Sequence, residues 1–69
     1  MAHERSDMYT VFTEDGQPKI NRIGMVVFER TLALAKAQMV PGDSVTRWSS
    51  SGYAVKQWTM STRGTLVAS

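Results

Sequence analysis

Residues 40–60 read VPGDSVTRWSSSGYAVKQWTM and predict a reversal of the chain followed by a β-hairpin. The Pro-Gly-Asp run near the start is typical of a turn. Residues 44–49 and 53–60 are rich in β-branched and aromatic types, which favour strands. The short glycine-containing segment at 50–52 is a typical hairpin connection. We therefore expect two antiparallel strands in this part of the chain.

Upstream of this stretch, the apolar residues follow a helical period. Phe28, Leu32, Ala35 and Met39 fall at i, i+4, i+7 and i+11, which is one face of an α-helix. Pro41 lacks an N–H donor and disfavours helical geometry in the residue before it. We therefore expect an amphipathic helix from Phe28 to Met39.

The N-terminal part of the chain predicts a strand at 8–13, MYTVFT, that ends in a turn at 14–18. The segment at 19–27 allows two interpretations. A second strand running to about Val27 is favoured, because its β-branched residues and glycine are poor helix formers. The alternative is a helix that Asn21 caps.

Together these elements predict one small α+β domain. Its antiparallel sheet of about four strands follows the order β-β-α-β-β, with one amphipathic helix packed on the sheet. We expect a disordered tail at residues 1–7, the domain at 8–62, and a tail or an edge strand at 63–69. A chain of 69 residues buries only about 60% of its unfolded surface on folding, so there is room for a single core.

Composition bears on the compartment. The chain has no Cys, which suits a reducing compartment. Its longest apolar run, at 25–28, falls far short of the ~20 residues needed to span a bilayer. The charged N-terminus is unlike a secretory signal. We expect a cytoplasmic protein with no membrane partner.

Patterns typical of catalysis are missing from the sequence. His3 is the only His, and with no Cys the usual zinc spacing cannot occur. Glu14 and Asp15 are adjacent acids before a glycine, a pattern more typical of a turn than of an acid/base pair. The glycine spacing matches no phosphate-binding loop. We expect no enzymatic activity, no metal site and no cofactor.

Charge and aromatic residues predict a binding surface in the C-terminal third. The net charge is +2, and residues 44–69 contain three basic residues and no acidic one. Arg and aromatic side chains are enriched at binding hot spots. For Trp48 and Trp58, packing over the helix is the alternative to a binding role. The candidate partner-binding residues are Arg47, Trp48, Tyr53 and Lys56.

The run LALAKAQMVPGDSVTR at 32–47 resembles a stretch of the small bacteriophage proteins that inhibit host bacterial RNA polymerase. The resemblance extends over roughly residues 8–48. It implies a non-enzymatic protein that binds the polymerase jaw region and blocks promoter opening, with Arg47 at the position of an Arg that contacts the polymerase. The family's helix is strongly acidic, whereas the predicted helix here has Glu29 followed by Arg30 and Lys36.

These observations favour a protein that binds and inhibits a host protein, most concretely bacterial RNA polymerase, in the host cytoplasm. Two alternatives stay open: an anti-defence inhibitor of another host system, and a small regulator that binds nucleic acid. Homodimerisation through an exposed sheet edge would also fit. The sequence does not fix the oligomeric state.

Overall fold

The computed structural model describes residues 8–69, and the tail predicted at 1–7 lies outside them. The predicted α+β class is confirmed: the described chain forms one antiparallel sheet and one short helix. The sheet has five strands rather than about four, and its order is β2-β1-β3-β4-β5. In chain order the elements are β1 (Met8–Phe12), β2 (Phe28–Glu29), α1 (Leu32–Lys36), β3 (Ser44–Trp48), β4 (Ala54–Met60) and β5 (Leu66–Ala68).

The predicted C-terminal hairpin is present as β3 and β4. The segment at 63–69, for which a tail and an edge strand were both open, contributes β5, which pairs with β4 at the edge of the sheet. The central position belongs to β3, which pairs with β1 on one side and with β4 on the other. The N-terminal strand is therefore held between the two strands nearest to the helix in sequence.

Both interpretations of the segment at 19–27 are wrong. The chain reverses inside it, and Ile20 pairs with Val26 in a narrow hairpin that leads into β2. The side-chain oxygen of Asn21 accepts from the backbone N–H groups of Ile23 and Met25, at 3.0 and 3.1 Å. An Asn that bonds its own following backbone in this way forms a turn instead of capping a helix.

The helix is shorter than predicted, because neither end of the Phe28–Met39 range is helical. Phe28 lies in β2, and Thr31 caps the helix by accepting from the Leu34 N–H at 3.2 Å. After α1 the N–H groups of Gln38 and Met39 bond to carbonyls three residues back, which tightens and ends the last turn. The helix therefore ends before the chain reaches Pro41, and the proline is not what terminates it.

The core is small and lies between the helix and one face of the sheet. Val45 and Ala35 are completely buried at its centre. Ala35 has a short side chain, so the helix can approach the sheet closely. The buried cluster comprises Val11, Ala35, Met39, Val45 and Met60, with Tyr9, Leu32, Trp58 and Leu66 packed partly buried around it.

Strand alternation and register divide the sheet into two faces. The helix-side face carries the core and includes Tyr9, Val11, Val45, Arg47, Lys56, Trp58 and Met60. The open face lies opposite and includes Thr10, Phe12, Phe28, Thr46, Trp48 and Gln57. No helix packs on the open face within the described residues.

Four connections share one five-residue turn, a repeat that was not expected. In each, a polar residue comes first and a glycine fourth, and the first residue exchanges backbone hydrogen bonds with the fourth and fifth. The first side chain also accepts from the N–H of the fifth residue. Gly52 shows why glycine is needed, since its φ of 90° is a left-handed conformation. The turns are 13–17, 21–25, 49–53 and 61–65.

Candidate protein-binding site

A row of four residues crosses the helix-side face through β2, β1, β3 and β4. Tyr9 pairs with Glu29 on one side and with Arg47 on the other, and Arg47 pairs with Lys56. Arg47 is half-buried and Lys56 is exposed. The register therefore places two basic residues directly opposite each other on β3 and β4, whereas α1 packs against β1 and β2.

Aromatic rings border these two basic residues. The Lys56 ammonium lies over the ring of Trp58, 5.3 Å from its centroid. The Tyr9 and Trp58 rings lie 6.3 Å apart and are tilted by 37°, a favourable aromatic geometry. A cation over a Trp face at an exposed site contributes about 0.5–1 kcal/mol. The aromatic contacts therefore hold the Lys56 side chain close to the surface of the sheet.

The other two predicted site residues lie elsewhere. Trp48 projects to the open face, as the strand alternation predicts, and its Nε1 donates to Thr10 Oγ1 at 3.1 Å. Tyr53 is the last residue of the 49–53 turn and is 74% exposed. The structure thus brings Arg47 and Lys56 together but separates Trp48 from them by the thickness of the sheet.

The two tryptophans have different environments. Trp58 packs against the buried cluster on the helix side of the sheet, which was the predicted alternative to a binding role. Trp48 is half-buried on the opposite face and lines an open groove of about 490 Å³. The residues around this groove are Phe12, Gly16, Ser44, Thr46, Trp48, Ala54, Val55, Lys56 and Gln57.

Sequence reasoning missed Tyr9 as part of the site. Tyr9 and Arg47 are 38 positions apart, and only the pairing of β1 with β3 makes them neighbours. The alternating residues of the first strand gave a local signal, since Tyr9 shares its face with the buried Val11. That signal cannot identify the neighbouring strand.

Within residues 8–69, no group of three or more His, Cys, Asp or Glu side chains is placed to hold a metal ion. His3 falls outside this range. Glu14 and Asp15 lie in the 13–17 turn, and a hydrogen bond from the Thr13 hydroxyl lowers the pKa of Asp15, assisted by backbone N–H donors. The Asp15 carboxylate is therefore a structural part of the turn.

The helix found in the described part of the chain is too short to cross a membrane. Comparison with protein-family models, with curated proteins and with solved structures gave no significant match.

Proposed function

We propose that this chain is a non-enzymatic inhibitor that binds a larger host protein through Arg47 and Lys56, and that the partner is bacterial RNA polymerase. The direct pairing of these two residues across β3 and β4 carries the proposal. The pairing places two cationic side chains next to each other on one face of the sheet. Such a pair of donors suits a carboxylate-rich partner surface.

The surroundings of the two basic residues fit a protein partner. Tyr9 and Trp58 offer rigid aromatic surface next to the charges, and such residues carry much of the energy of protein interfaces. The Arg47 guanidinium is a planar donor that suits bidentate contact with a carboxylate. This surface is best suited to a partner protein that exposes Asp and Glu side chains.

The choice of polymerase comes from the resemblance of residues 32–47 to the phage inhibitors. The order of elements supports this choice, since a strand and a hairpin precede the helix and the next strand carries Arg47. A polymerase partner would place the chain in the bacterial cytoplasm. Inhibition would then follow from occupying the polymerase surface, with no chemical step.

The test measures binding of the full chain to purified bacterial RNA polymerase, together with single-round transcription. We expect Arg47→Glu and Lys56→Glu each to weaken binding at least about tenfold, which corresponds to 1.4 kcal/mol. Inhibition of transcription should weaken in parallel. Arg63→Glu is the matched control, because Arg63 is exposed in the 61–65 turn and undergoes the same change of charge.

Three results would separate the alternatives. If Arg47→Glu binds polymerase as tightly as the wild type, the anchor assignment is wrong. If the chain ignores polymerase but captures another host protein after nuclease treatment, the anti-defence alternative replaces it. If capture requires nucleic acid and affinity falls steeply with salt, the row is a nucleic-acid surface, because each phosphate contact releases counterions.

A further inference from the structure

Within residues 8–69, the open face of the sheet carries exposed apolar side chains beside neutral polar ones such as Thr46 and Gln57, and by strand alternation no charged strand side chain projects to it. By register and alternation, the 18–28 hairpin extends it with Pro18, Ile20 and Val26. Phe28 and Ile20 are 54% and 59% exposed there. The basic side chains of β3 and β4 project instead to the helix-side face, where the Lys56 ammonium covers the Trp58 ring. Such an exposed apolar patch marks an interaction surface.

One cross-strand row gives this face its shape. Phe28 on β2 pairs with Thr10 on β1, Thr10 with Thr46 on β3, and Thr46 with Gln57 on β4. The two threonines in the middle of the row are buried, and the Trp48 indole reaches across to Thr10. Gln57 borders the open groove, whereas Phe28 is bulky and exposed. The row therefore has a ridge at one end and a hollow at the other.

We propose that the open face binds a second copy of this chain, so that two sheets stack in a twofold-symmetric dimer. With the twofold axis parallel to the strands and between β1 and β3, β2 of one copy lies over β4 of the other. Because Phe28 and Gln57 belong to one row, each Phe28 then enters the groove of the opposite copy. The contact is made twice, as an isologous interface requires.

A second copy suits this face better than a charged partner does. Stacking the two open faces keeps like charges apart although each chain has a net charge of +2, because Lys56, which borders the groove, directs its ammonium over the Trp58 ring on the other face. A charged partner would have to bury its charges without counterions, which is costly. The Trp48 indole N–H is already bonded to Thr10, so its ring can be covered without leaving a donor unsatisfied.

Size is also compatible with a dimer. The broad side of the molecule measures 40 × 29 Å, which is large enough for the roughly 800 Å² per partner of a standard interface. Aligned sheets pack about 10 Å apart, a distance that side chains of this size fill. The second sheet would also give the small core a further packed layer. Lys56 borders the groove, but substitutions at Phe28 leave Arg47 and Lys56 unchanged, so failure of this inference can be distinguished from failure of the proposed function.

Sedimentation equilibrium of the full chain over a range of concentrations tests the proposal. We expect the mass to rise from that of one chain to twice that value. Phe28→Lys should raise the dimer dissociation constant at least about tenfold. Leu34→Lys is the matched control: Leu34 is 52% exposed on the helix, nearly as much as Phe28, and its substitution should leave the dimer unchanged. Circular dichroism of each variant checks the fold.

A charge-swap experiment tests the specific pairing. Phe28→Asp and Gln57→Lys should each weaken self-association. An equimolar mixture of the two variants should form a heterodimer, because the introduced carboxylate of one chain then faces the introduced ammonium of the other. A wild type that stays monomeric throughout would overturn the proposal. A dimer that Leu34→Lys disrupts and Phe28→Lys does not would also overturn it.

Discussion

The Lys19 ammonium lies 3.0 Å from the Asp43 carboxylate and joins the 18–28 hairpin to the turn that follows the helix. Asp43 is 3% exposed, and the same oxygen accepts from the Val40 N–H at 3.0 Å. Lys19 also donates to the Gln38 carbonyl at 3.0 Å, close to the end of the helix. This ion pair therefore fixes the hairpin, the helix end and the turn relative to one another.

Lys19→Met is expected to destabilise the protein by about 2 kcal/mol, because a buried carboxylate loses its counterion while the apolar stem is kept. Urea denaturation followed by circular dichroism would measure the change in the free energy of unfolding. The matched control is Lys36→Met, since Lys36 is exposed in the last turn of α1. Equal effects of the two substitutions would show that the ion pair contributes nothing beyond surface charge.

Thr31→Ala is expected to cost about 1 kcal/mol, because the Leu34 N–H loses the hydroxyl that caps the helix. Thr31→Ser keeps the acceptor and should retain most of the stability. Thermal unfolding of both variants, with Thr62→Ala in an exposed turn position as the control, would measure the contribution of the cap. A Thr31→Ser variant as unstable as Thr31→Ala would argue against capping.

Gly42→Ala is expected to destabilise the protein by about 1–2 kcal/mol. Gly42 has a φ of 96°, and an added Cβ would lie 3.2 Å from the Glu14 side chain. Combining Gly42→Ala with Glu14→Ala separates the two causes. Because Glu14 is flexible and exposed, we expect the double variant to recover little, which assigns the cost to the backbone. Full recovery in denaturant titrations would assign it to the contact.

The Asp15 carboxyl should titrate below the ordinary value of about 3.9, since the Thr13 hydroxyl stabilises its ionised form. A folded-state pKa below the unfolded one adds stability above the unfolded value, and this stability is lost as the pH falls through the folded pKa. NMR titration of the Asp15 carboxyl in wild type and in Thr13→Ala would show the shift. An unchanged midpoint in the variant would rule out the hydroxyl as its cause.

The recurring turns show how much local sequence determines here. Each of the four has a polar first residue whose side chain bonds the following backbone, and a glycine three positions later. Both signals are readable in the sequence, and the glycine at 50–52 contributed to the correct hairpin prediction, although Ser49 was assigned to the strand. At 21–25 the same signals were interpreted as a strand or a helix cap, because the apolar residues around Asn21 dominated the assignment.

The helix start illustrates a limit of periodicity. Leu32, Ala35 and Met39 do face the core, as the period predicts. Phe28 fits the same period, yet it pairs with Thr10 in the sheet and lies on the opposite face. The Thr31 cap was the local signal that marks the true start of the helix. Strand pairing with β1 took precedence over helical extension.

The candidate site, too, could be predicted only in part from the sequence. Strand alternation correctly separated Arg47 from Trp48 and grouped Lys56 with Trp58. The pairing of Arg47 with Lys56 depends on a β-bulge that shifts the register between Arg47 and Trp48, and no sequence signal marked it. Tyr9 enters the site only through the strand order.

The sequence by itself determined the α+β class, the C-terminal hairpin and the alternation of faces, because these follow from backbone preferences and from bonds between residues a few positions apart. Only the tertiary structure decided that β1 lies between β2 and β3, and hence which residues meet in each row. Those neighbours are separated by up to 40 positions, and their register depends on packing one small core against one side of the sheet.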